Sequence, residues 1–145
     1  MVHQDRWSRF MSSLRTAFEL YEESSGVGTI EGLQTHSRAV YMMETAIHDL
    51  ARVIDVWPEQ RKGLKLLETS LRHFWESMKA YYWVTHFSVE GNFMKVRRYV
   101  RDGRTATWRS IKAWRKAGKH LDTRLIEEIA EYLGPPETAE EQRWW

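Results

Sequence analysis

Apolar residues three and four positions apart recur in almost every stretch of this chain, and short Gly, Pro and Ser breaks divide the stretches from one another. That spacing is the signature of amphipathic helices, and few runs alternate as strands would. From Val2 to Glu23 the stripe is Trp7, Phe10, Met11, Leu14, Phe18 and Tyr21. Ser24-Ser25-Gly26-Val27-Gly28 is a break, and Thr29 with Glu31 and Gly32 suits the start of a second helix, Ile30 to Ile54. Its buried stripe is Val40, Met43, Ile47, Leu50 and Ile54. Trp57-Pro58 stops it, because proline disfavours helical geometry in the residue before it. A third helix reaches about Phe87 on Leu64, Leu67, Leu71, Phe74, Met78 and Tyr81, and Ser88 to Asn92 is a short connection. Asp122 is placed to cap a last helix, Thr123 to Leu133, in which Leu125, Ile126, Ile129 and Leu133 pack before Gly134 and Pro135-Pro136 end it. The expectation is all-α: a bundle of four to five helices with an N-terminal helical arm. Residues 1–28 are the arm and break, 29–134 the bundle, and 135–145 an acidic tail ending in two tryptophans. The first helix also reads as an ordinary core helix. Arg6 and Arg9 on its opening turns are what suggest an arm lying on a partner.

Charge is the second constraint. The chain's net charge is +2, yet residues 92–121 hold ten Lys or Arg against one acid, a local +9. The cations are Lys95, Arg97, Arg98, Arg101, Arg104, Arg109, Lys112, Arg115, Lys116 and Lys119, with Asp102 the acid and Trp108 and Trp114 among them. Residues 1–91 have ten bases and twelve acids, and 122–145 two bases and seven acids. So dense a block needs a polyanion or an acidic partner, since almost no acids accompany the bases to offset their repulsion. As one helix it is about 40 Å long. Val96, Val100, Thr107, Ile111, Trp114 and Gly118 then line one side, and Arg101, Thr105, Trp108, Lys112, Arg115 and Lys119 another about 120° away. Asp102-Gly103 is a place where it could divide in two. On the second helix Arg38, Tyr41, Thr45, His48 and Arg52 share a polar, basic face. Arg6, Arg9, Arg38 and Arg52 are thus a second set of candidate phosphate contacts beside the block.

Other chemistry is poorly supplied. The chain has no cysteine, which removes disulfides, thiolate metal sites and cysteine nucleophiles. No apolar run approaches the roughly 20 residues that span a bilayer, and no signal-peptide core follows the first methionine, so a soluble, intracellularly made protein is expected. Glu44 with His48 and His73 with Glu76 lack the order and spacing of carboxylate-bridged di-metal bundles, and His36 and His86 complete no set. No metal and no cofactor are expected. Arg115 and His120, separated by four residues, resemble the pair of HEPN ribonuclease bundles. No glycine-rich phosphate loop or zinc spacing is present.

Three short blocks carry a different resemblance. Ser37-Arg38-Ala39-Val40-Tyr41 with Ala51-Arg52, then Lys79-Ala80-Tyr81-Tyr82 with Thr85, then Leu125-Ile126 through Ile129 to Leu133-Gly134 and a proline-containing tail, occur in one order. They resemble the major capsid proteins of filamentous, double-stranded-DNA archaeal viruses of the rod-shaped rudivirus type, over about a third of the chain. Where those proteins pass almost directly from the Ala-Tyr-Tyr block to the last helix, here Phe93 to His120 intervenes, which is more similar to the enveloped lipothrixvirus or tristromavirus type. The resemblance implies a non-enzymatic coat whose helical arm wraps double-stranded DNA, held in the A form inside a helical nucleocapsid. It also implies assembly with other copies and with a paralogous capsid protein as a heterodimer, and passage through the host cytoplasm during assembly; it leaves open whether a lipid envelope surrounds the virion. Arg6, Arg9, Arg38, Arg52 and the ten cations of the block are the expected DNA contacts, and the tail from Glu137 to Trp145 is a candidate strap onto a neighbour's basic face. A non-viral, nucleic-acid-binding helical subunit of a ribonucleoprotein complex explains the charge but not the ordered blocks, and a HEPN-like ribonuclease is the remaining alternative.

Overall fold

A computed structural model of the chain describes residues 2–24 and 29–138. Five α-helices follow in order: α1 (Val2–Ser24), α2 (Ile30–Val56), α3 (Arg61–Glu90), α4 (Phe93–Ala117) and α5 (Thr123–Leu133), with single 3-10 turns at Pro58–Gln60 and Pro136–Thr138. The all-α bundle is therefore what this sequence forms. The stripes expected from periodicity are the core: Phe10, Leu14, Met43, Leu50, Leu64, Leu67, Leu71, Met78, Ile129 and Leu133 are all completely buried. Thr29 caps α2, its hydroxyl accepting from the Gly32 N–H at 3.1 Å. Pro58 ends α2 after Val56 but opens a 3-10 turn instead of the next α-helix. α3 runs on to Glu90, where Gly91 takes φ 75°, so the connection to α4 is shorter than the sequence suggested. Asp122 stands at the N-cap of α5 without making the side-chain cap bond expected of it; its own N–H donates to Gln60 Oε1 at 3.0 Å.

Two antiparallel hairpins build the bundle, α1 on α2 and α3 on α4, joined where α2 meets α3. α1 is a core helix here, with Trp7, Phe10, Leu14 and Ala17 buried against its neighbours. Of the two readings of this segment, the projecting arm is not the one the chain adopts by itself. α5 closes the bundle between α1 and α4. Trp7 Nε1 donates to Glu128 Oε2 (2.8 Å), Phe18 stacks on Tyr132 (centroids 5.4 Å apart), and the buried Trp114 Nε1 donates to the Gly134 carbonyl (2.8 Å). Of the candidate strap Glu137 to Trp145, everything from residue 139 onward lies outside the described residues.

The α3–α4 seam is made of small polar residues that the apolar pattern does not reveal. Ser70 Oγ donates to the Ser110 carbonyl at 2.8 Å, and Ser110 Oγ donates back to that of Ser70 at 2.6 Å. One turn pair further along, Thr107 donates to the Gly103 carbonyl (2.9 Å), so the hydroxyl of Ser77 donates to Thr107 Oγ1 (2.7 Å). Gly103 is buried against Tyr81, whose ring would stand 2.8 Å from an added Cβ. A side chain at 103 would have to displace that ring, and α4 passes through Asp102-Gly103 as one unbroken helix.

Candidate nucleic-acid interface

α4 packs along α3 through Gly103, Ala106, Thr107, Ser110, Ile111, Ala113, Trp114 and Ala117. At 100° per residue those positions spread around the direction of Ser110, and every cation of α4 except Lys95 falls within about 80° of the opposite direction. Arg97, Arg98, Arg101, Arg104, Arg109, Lys112 and Lys116 are exposed, as is Lys119 in the turn beyond; Arg115 is half-buried. The cationic face is thus broader than the single row the sequence suggested. It occupies essentially the whole solvent side of the helix, because small residues fill the side facing α3. Val96 and Val100, expected on the buried side, are only half-buried. They floor a shallow cavity of about 350 Å³ rimmed by Arg97, Arg101, Arg104 and Thr105.

Trp108 lies in the middle of this face, 40% exposed. Lys112 Nζ sits 5.2 Å from its ring centroid and the Arg115 guanidinium 5.7 Å. Ring and cations brace one another and hold two charges in place without neutralising them, as an acid would. Asp102 is the sole carboxylate of α4. Lys95 belongs elsewhere: its ammonium lies over Phe87, 4.7 Å from the centroid, at the turn between α3 and α4.

The second arginine set lies on the other hairpin. Arg6, Arg9 and Arg52, with Val2, Asp5 and Asp49, line a cavity of about 270 Å³ between α1 and α2. Arg6 Nη1 donates to the Arg52 carbonyl at 3.1 Å, and Asp49 accepts from Ser13 at 2.7 Å. Two carboxylates among three guanidiniums make this a weaker anion site than α4. Arg38 is exposed further along α2, beside Tyr41. The structure therefore brings Arg6, Arg9 and Arg52 together, and it leaves this group and the α4 face on different hairpins.

The remaining candidates find plain structural positions. His36 is buried, its Nε2 2.7 Å from the Met78 carbonyl, with the rings of Tyr21 and Tyr82 edge-on at 5.3 and 5.7 Å. Burial pushes its pKa down and pushes the Tyr21 hydroxyl up to about 12. Glu44 and His48 approach to 4.0 Å, and His73 and Glu76 to 3.8 Å, each pair within one helix. Among the described residues no three His, Asp or Glu side chains are grouped to hold a metal ion. Arg115 is on the last turn of α4 and His120 is exposed in the turn that follows. No helix of the described residues is long and apolar enough to cross a membrane. No family model matches the chain, and neither the curated proteins nor the solved structures contain a match to it.

Proposed function

We propose that this protein is a structural coat subunit that packages double-stranded DNA, with no catalytic role, by laying the outer face of α4 along the phosphate backbone. The observation that carries this reading is the composition of that face: cations along its full length, an exposed indole among them, and one acid. From Arg97 to Lys116 the helix is about 29 Å long. A duplex carries about 17 negative charges over that distance, at one per 1.7 Å. The eight cations of this stretch answer about half of them. One subunit is therefore a partial neutraliser, and many subunits side by side, with Arg6, Arg9, Arg38 and Arg52 as further contacts, are what complete the charge balance.

Nothing in this chemistry reads bases. Lys and Arg on a straight helical face position a backbone and confer little sequence preference. Trp108 and the aliphatic stems of the arginines add a dry wall that favours an A-like duplex by excluding water. The ordered blocks at Ser37–Tyr41, Lys79–Tyr82 and Leu125–Gly134 support the same reading through their resemblance to the filamentous archaeal virus coats. In it the building block is a homodimer or a heterodimer with a paralogue, and the virion is the site of action. The test is electron microscopy of the protein mixed with linear duplex DNA, alone and with a paralogue, followed by nuclease digestion. Long regular filaments that protect the DNA are expected. Discrete particles at every stoichiometry, with the DNA left digestible, would overturn the coat reading.

A further inference from the structure

The α3–α4 hairpin ends in an apolar knob that the DNA-binding face does not use. The register set by His36 against Met78 gives α3 six more residues beyond this point than α2 has before it, so the hairpin tip stands roughly 9 Å past the start of α2. At the tip Met94 is 86% exposed, Phe93 71% and Val89 59%. Behind them the rings of Trp83, Phe87 and Tyr99 form a stack, Trp83 on Phe87 and Phe87 on Tyr99, each at 5.7 Å between centroids. Lys95 lies over Phe87, Arg98 is 5.8 Å from the Tyr99 ring, and Arg97 is exposed beside them. The acid of the tip itself, Glu90, is approached by His86 Nε2 at 3.1 Å, and the exposed Glu22, Glu23 and Glu31 lie set back from it on the other hairpin.

The geometry points to a lipid-binding site: the tip Val89–Arg98 inserts its apolar side chains into the interface of an anionic bilayer, while Lys95, Arg97 and Arg98 bind the headgroup phosphates and carboxylates. Three features favour lipid over a protein partner. The apolar residues sit on a convex end, so a fluid medium can receive them, whereas a protein would need a matching pocket. Four amides of the turn are satisfied within it: Gly91 N–H donates to the Ser88 carbonyl (3.1 Å), Asn92 N–H to that of Phe87 (2.9 Å), Lys95 N–H to Asn92 Oδ1 (3.3 Å) and Val96 N–H to the Asn92 carbonyl (3.1 Å). Those amides can leave water at little cost. Indole and phenol rings with a collar of long cationic side chains are also the side chains that settle at headgroup depth. The apolar tip is separate from the α4 face, but Arg97 and Arg98 belong to both; the membrane and DNA readings are therefore told apart by Phe93→Ser with Met94→Ser, which leaves every cation in place.

The test exploits the absence of cysteine from the chain. Met94→Cys and Lys112→Cys are each labelled with an environment-sensitive fluorophore and mixed with vesicles of equimolar phosphatidylcholine and phosphatidylserine, or of phosphatidylcholine alone. On the anionic vesicles the label at 94 is expected to shift to the blue and the label at 112 to stay in water. In co-sedimentation, Phe93→Ser with Met94→Ser is expected to lower binding at least about tenfold. Lys95→Gln with Arg97→Gln and Arg98→Gln is expected to lower it about fivefold per charge on the anionic vesicles only. The positions are exposed, and an unchanged helical circular dichroism spectrum checks that each variant is folded. Three results would overturn the proposal: no shift at 94, equal shifts at 94 and 112, or unchanged vesicle binding by the serine variant. Loss of self-association by the serine variant with vesicle binding intact would assign the tip to a second copy instead.

Discussion

His36 shows how a residue that looks functional in sequence becomes structural in three dimensions. It is buried with its Nε2 at 2.7 Å from the Met78 carbonyl, and burial holds its pKa below the ordinary 6.5. The folded protein thus binds the proton less readily than the unfolded chain. Its contribution to stability is complete above about pH 6.5 and falls as the pH drops below that value. Thermal melts from about pH 8 to pH 5 are expected to show a decline that starts near 6.5. His36→Gln, which keeps a donor for Met78, is expected to flatten it, and a melt series of unchanged slope would place the pH dependence elsewhere. In the sequence His36 could only be recognised as completing no metal set. Its burial follows from the crossing of α2 and α3, which pattern alone does not specify.

At the scale of elements, the helices and most of their apolar faces were legible, because a stripe at helical spacing has to be buried somewhere. The α3–α4 seam was not. Ser70, Ser77, Gly103, Ala106 and Ser110 carry little hydrophobicity, so a search for apolar residues passes over them, yet they let the two helices approach closely. Gly63, near the start of α3, does the same for the turn between α4 and α5: an added Cβ would stand 2.7 Å from Leu121 Cγ and 3.0 Å from the backbone carbon of His120. Alanine normally gains about 1 kcal/mol over glycine inside a helix. Here Gly63→Ala is expected to lose about 1–3 kcal/mol in denaturant titrations, because backbone as well as side chain must move. The same seam explains the breadth of the cationic face, since small residues inward leave the long cationic side chains outward. Replacing Arg101, Arg109 and Lys112 together with Gln is expected to weaken binding about equally on any DNA sequence. It should also flatten the slope of log K against log salt by roughly 2–3. An unchanged slope would mean that this face meets protein and not phosphate.

For the whole molecule the decisive element is the short α5, which ties the N-terminal hairpin to α4 through Trp7–Glu128 and Trp114–Gly134. Trp114 is completely buried, and its indole N–H is the donor to the Gly134 carbonyl. Trp114→Phe removes that donor and leaves space for nothing larger than the lost ring. It is expected to cost about 1–3 kcal/mol in a denaturant melt while leaving the exposed cations and their salt slope as they were. A Trp114→Phe variant as stable as the parent would mean that α5 is held by its apolar contacts alone. The charge distribution is also a property at this scale: a cationic face on α4, an arginine cluster between α1 and α2, and an aromatic tip at one end of the longest hairpin.

The sequence by itself determined the order and near-boundaries of the helices, the stripes of the core, and the concentration of charge between Asn92 and His120. Each of these is a local or periodic property, readable one segment at a time. Only the tertiary structure decided that α1 lies in the core, that α4 runs unbroken through Gly103, and that Val89, Phe93 and Met94 project together beyond the bundle. Those outcomes depend on which helices touch and how far they slide past one another. Small residues and buried hydrogen bonds such as Ser70–Ser110 govern this, and the apolar pattern does not record them.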